Sequence, residues 1–188
     1  MFASKNNTSK QIKLDPLQPL VTRTDLRGNI KYSNHYFKEI TGYREDELVG
    51  RPHSIIRHPD MPKIIFTLMW QRLKDNQDIL AIVKNRTKDG NYFWITTSFK
   101  TTHSEVSKEE NGYMAITYAA PKHAIKEIEA LYEKLLEIEK SDDEKASIKY
   151  LLDFFEANET NYDDYVHDIT KKTTLMNSLF HKNKIYLK

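Results

Sequence analysis

Two kinds of apolar spacing divide the chain. Up to about residue 120, apolar residues alternate with polar ones or gather in short β-branched and aromatic runs; from residue 122 they step by threes and fours. Leu20-Val-Thr-Arg-Thr24 predicts a strand, Asp25-Leu-Arg-Gly-Asn29 a turn, and Ile30-Lys-Tyr-Ser33 the second strand of a hairpin. Asn34 is placed to cap a helix over 35–41 that Gly42 stops, and 44–49 predicts a second short helix. The spacing over 63–74 predicts the longest helix of this half. Three strands follow, over 79–85, 92–99 and 112–118, with an Asp89-Gly90 turn and a charged loop at 103–110. Ile125, Ile128, Leu131, Leu135 and Ile138 mark an amphipathic helix over 122–140. Ser141 to Glu144 predicts a capped start for another over 145–157, and a weaker third runs over 162–180. The order predicts an α+β fold: a five-stranded antiparallel sheet with short helices on one face, followed by C-terminal amphipathic helices. It divides the chain into a polar N-terminal segment at 1–18, loose or forming a short helix, a sheet domain at 19–121 and a helical region at 122–188.

The stretch Ile55-Ile-Arg-His-Pro-Asp-Met-Pro62 interrupts this pattern with chemistry. Pro59 and Pro62 bias His58 and Met61 towards extended backbone, and Pro62 suits the entry of a helix. Arg57, His58 and Asp60 therefore sit on a stiff connector at the mouth of the 63–74 helix. Rigid polar groups beside an apolar wall suit a charged ligand with a flat ring. A capped loop with an Asp–Arg pair accounts equally well for these residues taken alone.

Composition removes several classes of function. With 29 basic and 27 acidic residues the net charge is +2, which gives no reason to propose nucleic acid. The sequence has no cysteine, so thiolate metal sites, disulfides and cysteine nucleophiles are absent. The N-terminus lacks an apolar signal core and no apolar run approaches the roughly 18 residues of a membrane span. These features lead us to expect a cytoplasmic protein without direct membrane insertion. His53, His58 and Asp60 have no nucleophile or metal cluster beside them, so no enzymatic role is expected.

Several motifs recur at specific spacing: Thr24-Asp25, Asn34, Ile40-Thr-Gly-Tyr43, Glu47-Leu48, Gly50-Arg-Pro-His53, Arg57-His-Pro-Asp-Met-Pro62, Met69-Trp70, Val83-Lys-Asn-Arg86, Asp89-Gly90 with Tyr92 and Trp94, and Gly112-Tyr-Met114. Together they resemble a PAS sensor domain of the Aer-type aerotaxis and energy-taxis family, from about Leu20 to Ala120. The resemblance implies a PAS fold, bound FAD and redox signalling without catalysis. By it, Arg57, His58 and Asp60 match positions associated with FAD retention. Trp70 matches a helix aromatic beside the pocket, and Asn85 a strand amide on the edge of the isoalloxazine ring. Asn34 joins them as a candidate cofactor-binding residue. An amide carries both donor and acceptor and so suits a ring edge that carries both. Ile79 departs from the pattern, because Aer-type domains often carry a tryptophan there or beside it, so a ring-stacking partner is missing. The chain shows neither membrane anchor nor long coiled coil. It thus resembles the stand-alone PAS half of a two-protein system, in which a membrane-bound chemoreceptor-type protein supplies the signalling domain.

Without cysteine, the thiol–flavin adduct of flavin photoreceptors is excluded, whereas redox sensing needs no thiol. Asn85, Thr97 and Thr117 are polar residues in apolar strands and candidates for a redox-sensitive hydrogen-bond network, although both threonines also read as ordinary strand residues. Haem is the alternative cofactor, with His58 or His53 as axial ligand; against it, the helix in which haem sensors usually place that ligand, here 63–74, has no histidine. A cofactor-free interaction module is the other alternative. The helices after Pro121 read as a docking and signal-transmission element, folded back on the sheet or forming a homodimer or partner surface.

Overall fold

The computed structural model describes residues 9–107, 109–141 and 144–171. The elements are β1 (Leu20–Thr24), β2 (Ile30–Ser33), α1 (His35–Thr41), α2 (Glu45–Leu48), a 3-10 turn at His53–Ile56, α3 (Lys63–Lys74), β3 (Ile79–Arg86), β4 (Tyr92–His103) and β5 (Glu110–Ala119), then α4 (Lys122–Ser141), α5 (Glu144–Ala157) and α6 (Tyr162–Lys171). The sheet order is β2-β1-β5-β4-β3, with antiparallel pairing throughout. The crossover through α1–α3 therefore carries the chain from one edge of the sheet to the other, over its inner face.

The limits of β1, β2, α1 and α3 match the apolar pattern. β4 and β5 run longer than predicted, because Lys100, Thr101 and Thr102 pair with Met114, Tyr113 and Gly112 and, past a bulge between Thr102 and His103, His103 pairs with Glu110. Polar residues carry no strand signal by themselves; here their neighbours' pairing extends the ladder. The N-terminal segment also differs from expectation over 9–15. It is extended: Gln11 pairs in parallel with Tyr92, the Ile12 N–H donates to the Tyr92 carbonyl at 2.7 Å, and Leu14 is buried. Residues 1–8 and 172–188 lie outside the described residues, as do Asp142 and Asp143 of the expected α5 cap. Ser141 instead ends α4, its hydroxyl donating to the Glu137 carbonyl at 3.0 Å.

α4 folds back across the outer face, as its apolar stripe requires. Ala124, Ile128, Leu131, Tyr132 and Leu135 are buried in one core with the sheet. Tyr132 stacks on Trp94 with ring centroids 6.4 Å apart, and its hydroxyl donates to the Ile82 carbonyl at 2.8 Å. Each fully buried Leu or Ile of this kind contributes about 1.5–3 kcal/mol. The far end of α4 reaches α3: both Glu139 carboxylate oxygens accept backbone N–H groups, of Lys63 at 2.8 Å and Ile64 at 2.9 Å. α6 adds an Arg72–Asp163 pair at 2.5 Å. Among the described residues no helix is long and apolar enough to cross a membrane.

Candidate functional site

Between the inner face of the sheet and the 53–74 segment lies a cavity of about 360 Å³. Its walls follow from strand periodicity. Successive side chains point to opposite faces, so Val83 and Asn85 of β3, Phe93, Ile95, Thr97 and Phe99 of β4, and Tyr113, Ala115 and Thr117 of β5 all face inward. β1 adds Leu20, Thr22 and Thr24. The roof comes from His53, Ile56 and Arg57, and from Phe66, Met69, Trp70 and Leu73 of α3. Trp70 meets Tyr113 edge-on at 5.7 Å. Its ring lies over Gly28, where a Cβ would stand 2.6 Å from the indole and where φ is +80°. The glycine of the first turn is thus what admits the indole.

The polar groups in this apolar enclosure are few and specific. Arg57 and Asn85 form an antiparallel backbone bridge, which sets their side chains side by side. Asn85 is 5% exposed, and its amide has no hydrogen-bond partner among the described residues. The Arg57 guanidinium lies 3.5 Å over the Phe66 ring, and its buried Nε has no partner among the described residues. Burial lowers the Arg57 pKa. The Thr97 and Thr117 hydroxyls share a hydrogen bond at 2.8 Å across β4 and β5. The His53 ring bonds the Thr22 hydroxyl at 3.1 Å. Burial, and then the charge of Arg57, push the His53 pKa down to about 4, so it is neutral at neutral pH.

The site residues expected from sequence divide into two groups. Arg57, Trp70 and Asn85 meet in the cavity. His58 and Asp60 do not line it. The connector turns over His58–Met61, where the Met61 N–H donates to the His58 carbonyl at 3.1 Å, so Arg57 faces inward while His58 and Asp60 lie beside Lys84 on the far side of β3. There Lys84 Nζ donates to Asp60 at 2.7 Å and sits 4.6 Å from the Tyr92 ring centroid. His58 Nδ1 accepts the Asp60 N–H at 3.1 Å. Burial, then the charge of Lys84, hold the His58 pKa below its ordinary value. Burial opposes the Asp60 charge, but Lys84 and His58 outweigh it and its pKa is lowered. Asn34 lies outside the cavity too. Its side-chain oxygen accepts the Phe37 and Val21 N–H groups and its amide donates to the Pro19 carbonyl, fastening β1 to α1. Ile79 is buried and does not itself line the cavity, but it shares the inward face of Val83 and Asn85 and pairs with Phe99, so the missing tryptophan is absent from the cavity side of β3. Sequence reasoning missed Thr22, Phe66 and Tyr113 as lining residues; strand and helix periodicity, followed from Asn85 and Trp70, carried that signal.

Residues 30–113 match the sequence model of the family described as PAS fold. The sheet domain has the PAS fold. A solved light-oxygen-voltage domain, from a study of a flavin analogue, superposes with a TM-score of 0.51 at 18% identity, over 58% of this chain and 82% of that one. The aerotaxis receptor of Escherichia coli K12 is 39% identical over 116 residues, which is 62% of this chain and 22% of the receptor. The bacterioopsin transcriptional activator of Halobacterium salinarum is 29% identical over 82 residues, or 44% of this chain and 12% of that protein. The chain thus spans about a fifth or less of these curated relatives.

Proposed function

We propose that the PAS domain is an FAD-binding redox or oxygen sensor for aerotaxis or energy taxis, signalling through a membrane-bound chemoreceptor-type partner. The observation that carries this reading is the pair of partnerless polar groups, the Asn85 amide and the Arg57 Nε, side by side in an aromatic and apolar cavity. The Arg57 Nε is fully buried, and an unpaired buried polar group costs about 1–3 kcal/mol, a cost that a ligand accepting from it removes. The amide offers the donor and acceptor that a flavin ring edge needs. Similarity to a protein named an aerotaxis receptor supports the sensory side of this reading.

When bound, a flavin would supply a ring whose hydrogen-bonding edge differs between oxidised and reduced forms. The Asn85 amide answers such a change by turning, since its two ends have opposite hydrogen-bonding sense. The Thr97–Thr117 bond answers by exchanging donor and acceptor, because either hydroxyl can donate. A switch requires different contacts in the two states, and these groups provide them. β5 carries Thr117 and ends at Ala119, and α4 starts at Lys122, so movement at the cavity wall has a short route to the helices.

An absorbance spectrum of the purified protein, with and without added FAD, tests the ligand. The two-banded flavin spectrum is expected. A single intense Soret band would mean haem, a reading favoured by His53 lining the cavity. A colourless protein that takes up no FAD would sink both and leave a cofactor-free interaction module. Hydrogen exchange on oxidised and reduced protein tests the signal. Identical protection over residues 113–140, with unchanged partner binding, would leave a constitutive scaffold as the better account.

A further inference from the structure

α3 presents a second face, to solvent. Lys63, Phe66, Trp70, Gln71 and Lys74 recur at helical spacing and, with Arg57, line a surface groove of about 640 Å³. Arg57, Phe66 and Trp70 line the cavity as well, so groove and cavity meet at these side chains. Three of the groove's residues are cations. Among the described residues no carboxylate lies within ion-pair distance of Arg57, Lys63 or Lys74. Glu139 stands at the start of α3, where its carboxylate accepts the Lys63 and Ile64 backbone N–H groups and the Ser147 hydroxyl, and it does not line the groove. Arg72, the other cation of this helix, is paired with Asp163 of α6 and does not line the groove.

The cavity, at about 360 Å³, is near the lower end of ligand-site volumes. It suits a tricyclic ring and the start of its chain, and a diphosphate with a nucleoside must lie outside it. We propose that the α3 groove takes the diphosphate–adenosine part of a dinucleotide, with Lys63, Lys74 and the Arg57 guanidinium at the shared mouth compensating its phosphate charge. This inference rests on the flavin reading of the cavity. Eleven helical steps separate the two lysines by about 16 Å of rise, a length that suits an extended diphosphate and nucleoside lying within reach of a flexible cation from each end. The chain thereby selects FAD over FMN, and FMN over riboflavin, by charge outside the cavity.

Fluorescence titration of the purified apo-chain with riboflavin, FMN and FAD tests this, beside the Lys63→Gln/Lys74→Gln double variant. Wild type is expected to bind FAD about tenfold or more tightly than riboflavin, and added salt is expected to erode that preference because exposed charges are screened. The double variant is expected to keep its riboflavin affinity and thermal unfolding transition, and to lose most of the FAD preference. Equal affinities for riboflavin and FAD in wild type would overturn the groove assignment and leave the flavin reading standing. An undiminished preference in the double variant would do the same. If none of the three flavins binds wild type, the flavin reading itself fails and the groove assignment with it.

Discussion

On the inner face of the sheet, Val83, Asn85, Ile95, Thr97 and Thr117 surround open space, and a guanidinium nitrogen and an amide lack partners. On the outer face, the alternate residues of the same strands are covered. Trp94 stacks on Tyr132, the Tyr132 hydroxyl reaches the Ile82 carbonyl, and Lys84 is paired with Asp60. The outer face is not free of loose ends, since the Thr96 hydroxyl is also buried without a partner among the described residues. A lone hydroxyl is nevertheless a smaller deficit than an adjacent amide and cation. The contrast separates two tasks within one set of strands. The outer face supplies packing, and the inner face holds polar groups whose satisfaction depends on something else entering. Substitutions outside should therefore act on stability, and substitutions inside on ligand affinity.

The largest effect is expected at Tyr132. It is 1% exposed and its hydroxyl also lies 3.4 Å from that of Tyr162. Tyr132→Ala should cost about 3–5 kcal/mol in denaturant unfolding of the apo-protein, and Tyr132→Phe about 1–2 kcal/mol, because it leaves the Ile82 carbonyl unpaired. A cost below about 1 kcal/mol for the alanine would remove the outer face as the seat of stability. On the inner face the pattern should invert. Asn85→Ala and Arg57→Ala should change apo-protein stability by no more than about 1 kcal/mol, since neither removes a hydrogen-bond partner and Arg57 gives up only its contact with the Phe66 ring. Flavin affinity should fall about tenfold or more for each. Equal losses of stability and affinity would show that these residues hold the fold rather than a ligand.

His53 sharpens the comparison through pH. Burial depresses its folded-state pKa to about 4 from an ordinary 6.5. The unfolded chain therefore binds the proton more readily, and the stability due to neutral His53 is fully present above pH 6.5 and is lost as the pH falls through about 4. Thermal unfolding of wild type between these limits should show that decline, and His53→Gln should flatten it. An equally steep decline in the variant would assign the pH dependence to other groups.

The sequence made the elements legible where patterning is local. Leu20–Thr24, His35–Thr41 and Lys63–Lys74 were bounded by Gly and Pro signals and by apolar spacing. Arg57, Trp70 and Asn85 were legible as a set because a stiff connector, a helix and a strand converge. What stayed hidden depends on direction and on distant partners. Adjacency in sequence gave no means of telling that a tight turn after Arg57 leaves its side chain inward and carries His58 and Asp60 outward. Asn34 looked like a ligand residue and proves to be a helix cap that also ties down β1. The extended segment around Ile12 needs the start of β4 as its partner, and the Glu139 contacts with α3 span more than seventy residues.

The smallest expected effect is at Asp60, and it tests the boundary between the two faces. Its side chain is 58% exposed and pairs with Lys84 at 2.7 Å. The Lys84 side chain is only 12% exposed, but solvent reaches the Asp60 side, so the pair contributes about 1 kcal/mol, and after Asp60→Ala the Lys84 ammonium still has the Tyr92 ring beneath it. Apo-protein stability should therefore change little. Ligand retention should fall somewhat more than stability, because Asp60 steadies the connector that carries Arg57. It should fall less than in Arg57→Ala, where the cavity loses the cation itself. Bound flavin per chain after gel filtration, measured for both variants beside their unfolding curves, decides the order. A retention loss at Asp60 as large as that at Arg57 would mean that the outward half of the connector, rather than the cavity wall, governs binding, and the division of labour between the two faces would have to be redrawn along the connector.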